Sequence, residues 1–436
     1  MRTGRALSVV ALLLLLLLGI AYALTWRSAL DPVDVPSRSA FDRRLIAHGA
    51  QLAAIGDCNA CHTAPGGKTY AGGRGLETPF GVIYGTNITP DPYTGLGNWS
   101  EQAFVRAMRE GVDRRGRHLY PAFPYDHFTR VSDDDLSALY AYLMTRDPVR
   151  VETPRNRLPF PFNVRALVAG WKLLYLDRAA FESNTQQSPE WNRGAYLVEG
   201  LAHCGACHTP RNRLGAEKKG ERFAGGEIEG WHAPALNGAS PAPVPWTADR
   251  LYAYLRKGNE EAHGAAAGPM VPVVHNLAGV PESEVRAIAT YIASYTAQAT
   301  PERRQRGQAL VARLQAREPA TPPAGGNATG AQLYRGACGV CHDVPRETST
   351  SAAALDLSLS TTVAAPTPRN FLMILTHGIV PGEGERGRWM PAFAGAFTQE
   401  QLVALAQYVR QFAKGAAPWS DIAGEAKKIE GARKAS

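Results

Sequence analysis

Three small all-α domains in tandem, behind an apolar N-terminus, are what this sequence predicts. Three observations carry that expectation. The pentapeptide Cys-x-x-Cys-His occurs three times, at Cys58–His62, Cys204–His208 and Cys338–His342. The same order of helix signals surrounds each copy. Finally, Arg2 and Arg5 precede an apolar run from Ala6 to Trp26.

The pentapeptide is what covalent haem attachment requires. Its two thiols are spaced to form thioethers with the two vinyl groups of one porphyrin, and the adjacent histidine becomes an axial iron ligand. All six cysteines of the chain are used this way. A zinc site would need further thiolates or imidazoles close to each pair, and a redox pair has no need of the histidine. The residues therefore predict three covalently bound haem c groups, on Cys58, Cys61 and His62, on Cys204, Cys207 and His208, and on Cys338, Cys341 and His342. The fold expected is three tandem cytochrome c domains after an N-terminal membrane anchor.

Each copy opens on a Gly-Ala-x-Leu segment that reads as its first helix: Gly49–Leu52, Gly194–Leu197 and Gly330–Leu333. Each closes on an amphipathic helix. Ser132 to Leu143 begins with a Ser-x-x-Asp cap, and Thr398 to Phe412 with a Thr-x-x-Gln capping box. Pro281 to Tyr295 has proline at its first turn. Between them lies a third helix that ends in glycine, a C-terminal cap. It runs from Trp99 to Gly111, from Trp246 to Gly258, and from about Pro368 to Gly378.

Counting twelve residues on from Gly258 and Gly378 reaches Met270 and Met390, each in a proline-containing loop. A thioether there can meet the iron face opposite the histidine, so His208/Met270 and His342/Met390 are the expected axial pairs. The same count from Gly111 lands on Phe123, in "YPAFPYDHF". A phenyl ring cannot ligate iron. His127, in the same loop, is the first replacement; His118, Met144 and an open or water-bound iron follow. Methionine ligation raises the reduction potential and a second nitrogen ligand lowers it. The first haem is therefore expected to be the low-potential member if His127 ligates. Asn87 and Asn237 occupy similar places in their copies and read as haem-edge or loop-capping residues.

The implied division is an anchor or signal over 1–27, cytochrome c domains over 40–146, 189–297 and 328–414, an apolar connector over 147–188, a flexible linker over 298–327, and a basic tail over 415–436. The run Ala6–Trp26 is near the ~20 residues needed to span a bilayer. Its positive flank would keep the N-terminus cytoplasmic. That predicts an inner-membrane protein with periplasmic haem domains; signal cleavage at Ala21-Tyr22-Ala23 is the alternative. The connector carries Phe160, Phe162, Leu167, Trp171, Leu174 and Tyr175 and reads as internal packing or as a docking surface for a partner or the membrane. Net charge of +8 is modest for 436 residues and sits in arginine clusters and the tail. Nothing points to nucleic acid, and no dinucleotide fingerprint or catalytic triad points to an enzyme. A haem enzyme with an open, peroxidase-like first iron and a diffusible periplasmic carrier are the rival readings.

The three motifs, their spacing, and the strings "TPFGVIYGTNITPDPYTGLGNWS" and "LYPAFPY" are similar to the three-haem cytochrome c subunits of membrane-bound bacterial dehydrogenases. That resemblance implies a relay taking electrons from a catalytic dehydrogenase subunit to ubiquinone or a terminal oxidase. Relatives serving quinoprotein or flavoprotein partners usually have methionine where Phe123 stands. The Phe123 version more closely resembles those accompanying molybdenum hydroxylases, which implies a molybdopterin and iron–sulfur partner.

Overall fold

The computed structural model describes residues 25–297, 299–316, 327–343, 355–380, 389–413 and 415–435, together with 12, 19, 22 and 23. The chain separates into two compact units. One is Met1–Glu182 with Glu199–His203 and Arg213–Ala216; the other holds Ser183–Val198, Cys204–Asn212 and Glu217–Ser436.

In the first unit, α1 (Arg43–Ile55) starts where the Asp42 carboxylate accepts from the Arg44 and Leu45 amides. The haem motif forms one short helix, α2 (Cys58–His62). Strands β1 (Gly75–Thr78) and β2 (Gly81–Tyr84) make an antiparallel hairpin. Helix α3 (Glu101–Glu110) is capped by the Ser100 hydroxyl and ends on Gly111 in the left-handed conformation. A single turn, α4 (Tyr125–Phe128), precedes α5 (Asp133–Met144). Three aspartates in the first turn of α5 favour it through the helix dipole. Helices α1 and α5 cross at Gly49, where a Cβ would lie 2.0 Å from the Ala138 carbonyl oxygen. Leu52, Leu136, Leu139 and Leu143 fill the core beside that crossing, each worth roughly 1.5–3 kcal/mol of burial.

The connector contributes α6 (Leu167–Tyr175). Val168, Ala169 and Lys172 are buried, whereas Phe160, Leu173 and Leu174 face solvent.

The second unit repeats the plan twice. Its first copy runs through α7 (Pro189–Glu199), α8 (Gly205–His208), the hairpin β3 (Gly226–Ile228) and β4 (Trp231–Ala233), α9 (Ala248–Lys257), the short pair β5 (Asn259–Glu260) and β6 (Gly264–Ala265), α10 (Met270–Ala278) and α11 (Glu282–Thr296). After α12 (Pro301–Gln315), the second copy follows with α13 (Ala328–Ala337), α14 (Gly339–His342), α15 (Thr361–Ala364), α16 (Arg369–His377) and α17 (Gln399–Arg410); α18 (Ile422–Ala435) ends the chain. The helix crossing recurs. A Cβ on Gly194 would sit 1.9 Å from the Ala287 oxygen, and one on Gly330 would sit 2.2 Å from that of Ala404.

Three expectations need correction. The fold is mostly helical rather than all-α, because the described residues include three two-stranded antiparallel sheets. Among the described residues no helix is long and apolar enough to cross a membrane, which overturns the anchored, inner-membrane expectation. Apolar length alone prompted that expectation. Most of Ala6–Trp26 lies outside the described residues, and from Trp26 onward the chain is extended along the first unit, with Leu30 N–H donating to the Arg114 carbonyl. The segment 298–327, expected as a flexible linker, contains α12, capped by Thr300. Its Leu310, Val311 and Leu314 pack on Val244, Ala262 and Leu359. In the tail, Trp419 and Ile422 join a core with Leu372 and Ala406.

Candidate haem-attachment sites

Each motif histidine is held the same way. The Nδ1 of His62 donates to the Thr86 carbonyl at 2.6 Å, that of His208 to Pro234 at 2.8 Å, and that of His342 to Leu355 at 2.8 Å. One ring nitrogen is thereby committed to the backbone, which fixes the tautomer and leaves Nε2 as the lone pair for a metal. Burial lowers the pKa of all three imidazoles, against the opposing carbonyl bonds. Burial thus favours the neutral imidazole, the form that ligation demands.

The hairpins create this geometry. In the first copy the Gly72 amide donates to the His62 carbonyl at 2.7 Å, and β1–β2 then returns the chain to Thr86. In the second, the Gly225 amide donates to the His208 carbonyl at 2.8 Å, and β3–β4 delivers Pro234. Backbone packs directly on the motif. A Cβ on Gly85 would come within 1.9 Å of the Cys61 oxygen, and one on Gly226 within 2.3 Å of that of Cys207. The carbonyl partners lie 24, 26 and 13 residues beyond their histidines. That variable separation is why sequence reasoning missed them.

No disulfide joins the six cysteines. Burial, with Asp57 and Cys61 nearby, pushes the Cys58 thiol up to about 12, and burial with Asp343 takes Cys338 to about 11. A disulfide-exchange cysteine needs the opposite environment. The donor set of two thiols and one oriented imidazole per site suits a covalently attached haem.

The opposite side of each pocket differs between copies. In the first two, the glycine ending the middle helix accepts from a later amide: Leu119 to Gly111 at 2.7 Å and Ala266 to Gly258 at 2.8 Å. Phe123 and Met270 each follow four residues later. Met270 opens α10 instead of lying in a loop, with Pro269 as its N-cap. Met390 is held by paired backbone bonds with Ile379, both 2.9 Å, and packs against the core cluster to which Tyr334 and Tyr408 belong.

At the first copy Phe123 sits among Tyr125 and Phe128, with ring centroids 6.4 and 5.3 Å away. His127 is buried, and its Nδ1 donates to the Glu199 carbonyl at 3.0 Å, the same kind of bond the motif histidines make. His118 has both nitrogens engaged, Nε2 with the Thr25 carbonyl at 2.7 Å and Nδ1 with Lys172 at 3.0 Å. Met144 is buried at the end of α5. Asn87 and Asn237 hold loops. Asn87 bonds Thr94, Thr89 and the Val149 carbonyl, and Asn237 bonds the Arg222 carbonyl and the Ala239 amide.

Residues 46–147 match the family model for cytochrome c, and residues 325–409 match that for cytochrome c oxidase, cbb3-type, subunit III. The fructose dehydrogenase cytochrome subunit of Gluconobacter japonicus is 35% identical over 396 residues, covering 86% of this chain and 80% of the relative. The gluconate 2-dehydrogenase cytochrome c subunit of Pantoea cypripedii is 35% identical, covering 84% and 85%. The chain belongs to the cytochrome c subunits of bacterial dehydrogenases. A cytochrome c subunit of this family transfers electrons from a dehydrogenase complex. One subunit of the nicotinate dehydrogenase of Pseudomonas putida is 45% identical over 94% of this chain, but the chain spans only 34% of that relative's length.

Proposed function

We propose that this chain is a triheme electron relay. Haem c on each Cys-x-x-Cys-His motif would supply one-electron Fe(III)/Fe(II) chemistry. The polypeptide contributes attachment, ligand orientation and local polarity. The observation that carries the reading is the threefold histidine–carbonyl bond, which points Nε2 of His62, His208 and His342 away from the backbone at every motif. Three cytochrome c domains, near 40–146, 189–297 and 328–414, are part of the proposal. So are Met270 and Met390 as sixth ligands, with His127 filling that role at the first haem. A pyridine haemochrome assay should return three haem equivalents per chain; fewer would overturn the count.

We further propose a molybdopterin and iron–sulfur hydroxylase as electron donor, with ubiquinone or a terminal oxidase as acceptor. The likeness to the nicotinate dehydrogenase of Pseudomonas putida supports that donor, together with Phe123 at the first distal position. A purified hydroxylase of this type, given an N-heterocyclic substrate, should reduce the cytochrome stoichiometrically. Reduction only by a quinoprotein or flavoprotein dehydrogenase would assign the partner differently.

A further inference from the structure

The hairpin β3–β4 touches both sides of the second haem pocket. Its exit delivers the Pro234 carbonyl that accepts from His208 Nδ1. Its entry residue Gly225 donates to the His208 carbonyl. On the other side, the Trp231 ring lies against Gly268, where a Cβ would come within 2.3 Å of the indole. Gly268 is two residues before Met270. Whatever grips this hairpin thus grips the backbone beside both expected ligands of one iron.

Residues of the third copy do grip it. The Asn370 side chain reads the peptide of His232 as a neighbouring strand would. Its Oδ1 accepts from the His232 amide at 2.9 Å, and its Nδ2 donates to the His232 carbonyl at 2.7 Å. Next to it, Arg369 donates to Glu227 Oε2 at 2.7 Å and to Glu425 Oε2 at 2.8 Å. The methyl of Met373 lies near Gly230, at the turn of the hairpin. All three residues belong to α16. The C-cap of that helix, Gly378, is pressed against the Met390 carbonyl, 2.6 Å from where its Cβ would be. Bidentate capture of one peptide is directional, and side-chain hydrogen bonds of this kind rigidify what they join.

We propose that Asn370, assisted by Arg369, is a positioning residue through which the third copy sets the redox properties of the second haem. The inference rests on haem binding at Cys204–His208 as proposed above. The His208–Pro234 bond makes the imidazole a more basic ligand, and a more basic ligand favours the ferric state. Without the clamp the hairpin loosens, that bond lengthens, and the second haem's potential rises.

The test is a spectroelectrochemical titration of full-length holoprotein carrying Asn370→Ala, with NMR of the His208 Nδ1 proton. The expected result is an upward shift of the second haem's potential and faster exchange of that proton, with the first haem unmoved. Asn370→Asp, which keeps the acceptor and loses the donor, should shift less, and Arg369→Gln less again. If Asn370→Ala does not accumulate as holoprotein, Asn370→Asp carries the same decision. Three haem equivalents with an unchanged second potential and an unchanged His208 signal would overturn the clamp alone. A wild-type protein lacking the second haem would instead overturn the relay reading on which it rests.

Discussion

The loop after the middle helix of the first copy and that of the second start from one frame and end on different side chains. In both, a middle helix stops on a left-handed glycine, Gly111 or Gly258, and a carboxylate two residues later organises the turn. Asp113 accepts from the Arg115 and Arg117 amides, and Glu260 from the Ala262 amide and His263. After that the paths part. The second copy places Met270 at a helix start, whereas the first fills the same position with Phe123 and sets Tyr125 and Phe128 around it. The backbone frame is shared, and a single side chain distinguishes the two copies at the position proposed for a sixth ligand.

The shared frame is the first thing to break. Gly194→Val would drive side-chain atoms into the Ala287 carbonyl, already 1.9 Å from an ideal Cβ. It should cost more than about 3 kcal/mol, read as loss of holoprotein or a large fall in Tm, and Gly49→Val should do the same in the first copy. A stable Gly194→Val protein would show that the helix crossing is not what the two copies share.

The second variant exchanges chemistry on an intact frame. Phe123→Met should raise the potential of the first haem toward those of the other two, because a methionine ligand stabilises the ferrous state. Redox titration with His127→Ala alongside separates the contributions. If Phe123→Met leaves the potential where it was, the loop does not face the iron and the comparison with Met270 fails.

Lys172 braces the turn of the first copy. Its Nζ donates to the Glu110 and Gly111 carbonyls, both at 2.6 Å, and lies 4.9 Å from the Tyr125 ring centre. Burial, with Arg178 and Arg27 nearby and Glu110 opposing, brings this amine down to about 7. Lys172→Met would remove the donor from the Glu110 carbonyl and from His118 Nδ1, while the Gly111 carbonyl keeps the Leu119 amide, at a cost of about 2–3 kcal/mol. The sign of the pH effect follows from linkage. The unfolded chain holds the proton more tightly between about 7 and the ordinary 10.5, so wild-type stability gains with rising pH across that window. Urea melts from pH 6 to 10 should show this gain in wild type and its loss in Lys172→Met.

The smallest effect belongs to Glu260. Burial pushes its carboxyl up, but His263, Arg250 and the Ala262 amide outweigh that and hold it below its ordinary 4.5. Its contribution is complete above 4.5 and is lost as pH falls through the folded value. Glu260→Gln should cost about 1.5 kcal/mol at neutral pH and flatten the acid limb of the Tm profile. An unchanged acid limb would mean that the turn does not depend on the ion pair.

Much of this arrangement was legible beforehand because it rests on local chemistry. Ser132 and Thr398 cap the helices that their hydroxyls announced, and Gly111 and Gly258 end theirs in the left-handed region. Long-range pairing left no such trace. The hairpins were missed because strands of three or four residues carry too little alternation to read. Helix α12 was missed because an arginine-rich segment ending in prolines and glycines looks like a linker. Its apolar face becomes evident only against Val244 and Leu359.

By itself the sequence determined the spacing of two thiols and an imidazole within five residues, on which the proposed haem attachment rests. It also determined the helix ends, where the capping groups lie within a turn of what they cap. Only the tertiary structure decided which carbonyl orients each histidine, why Gly49, Gly194 and Gly330 tolerate no side chain, and how Asn370 comes to hold His232. Those contacts join residues separated by tens to more than a hundred positions, and only the folded chain brings such groups to within one hydrogen bond.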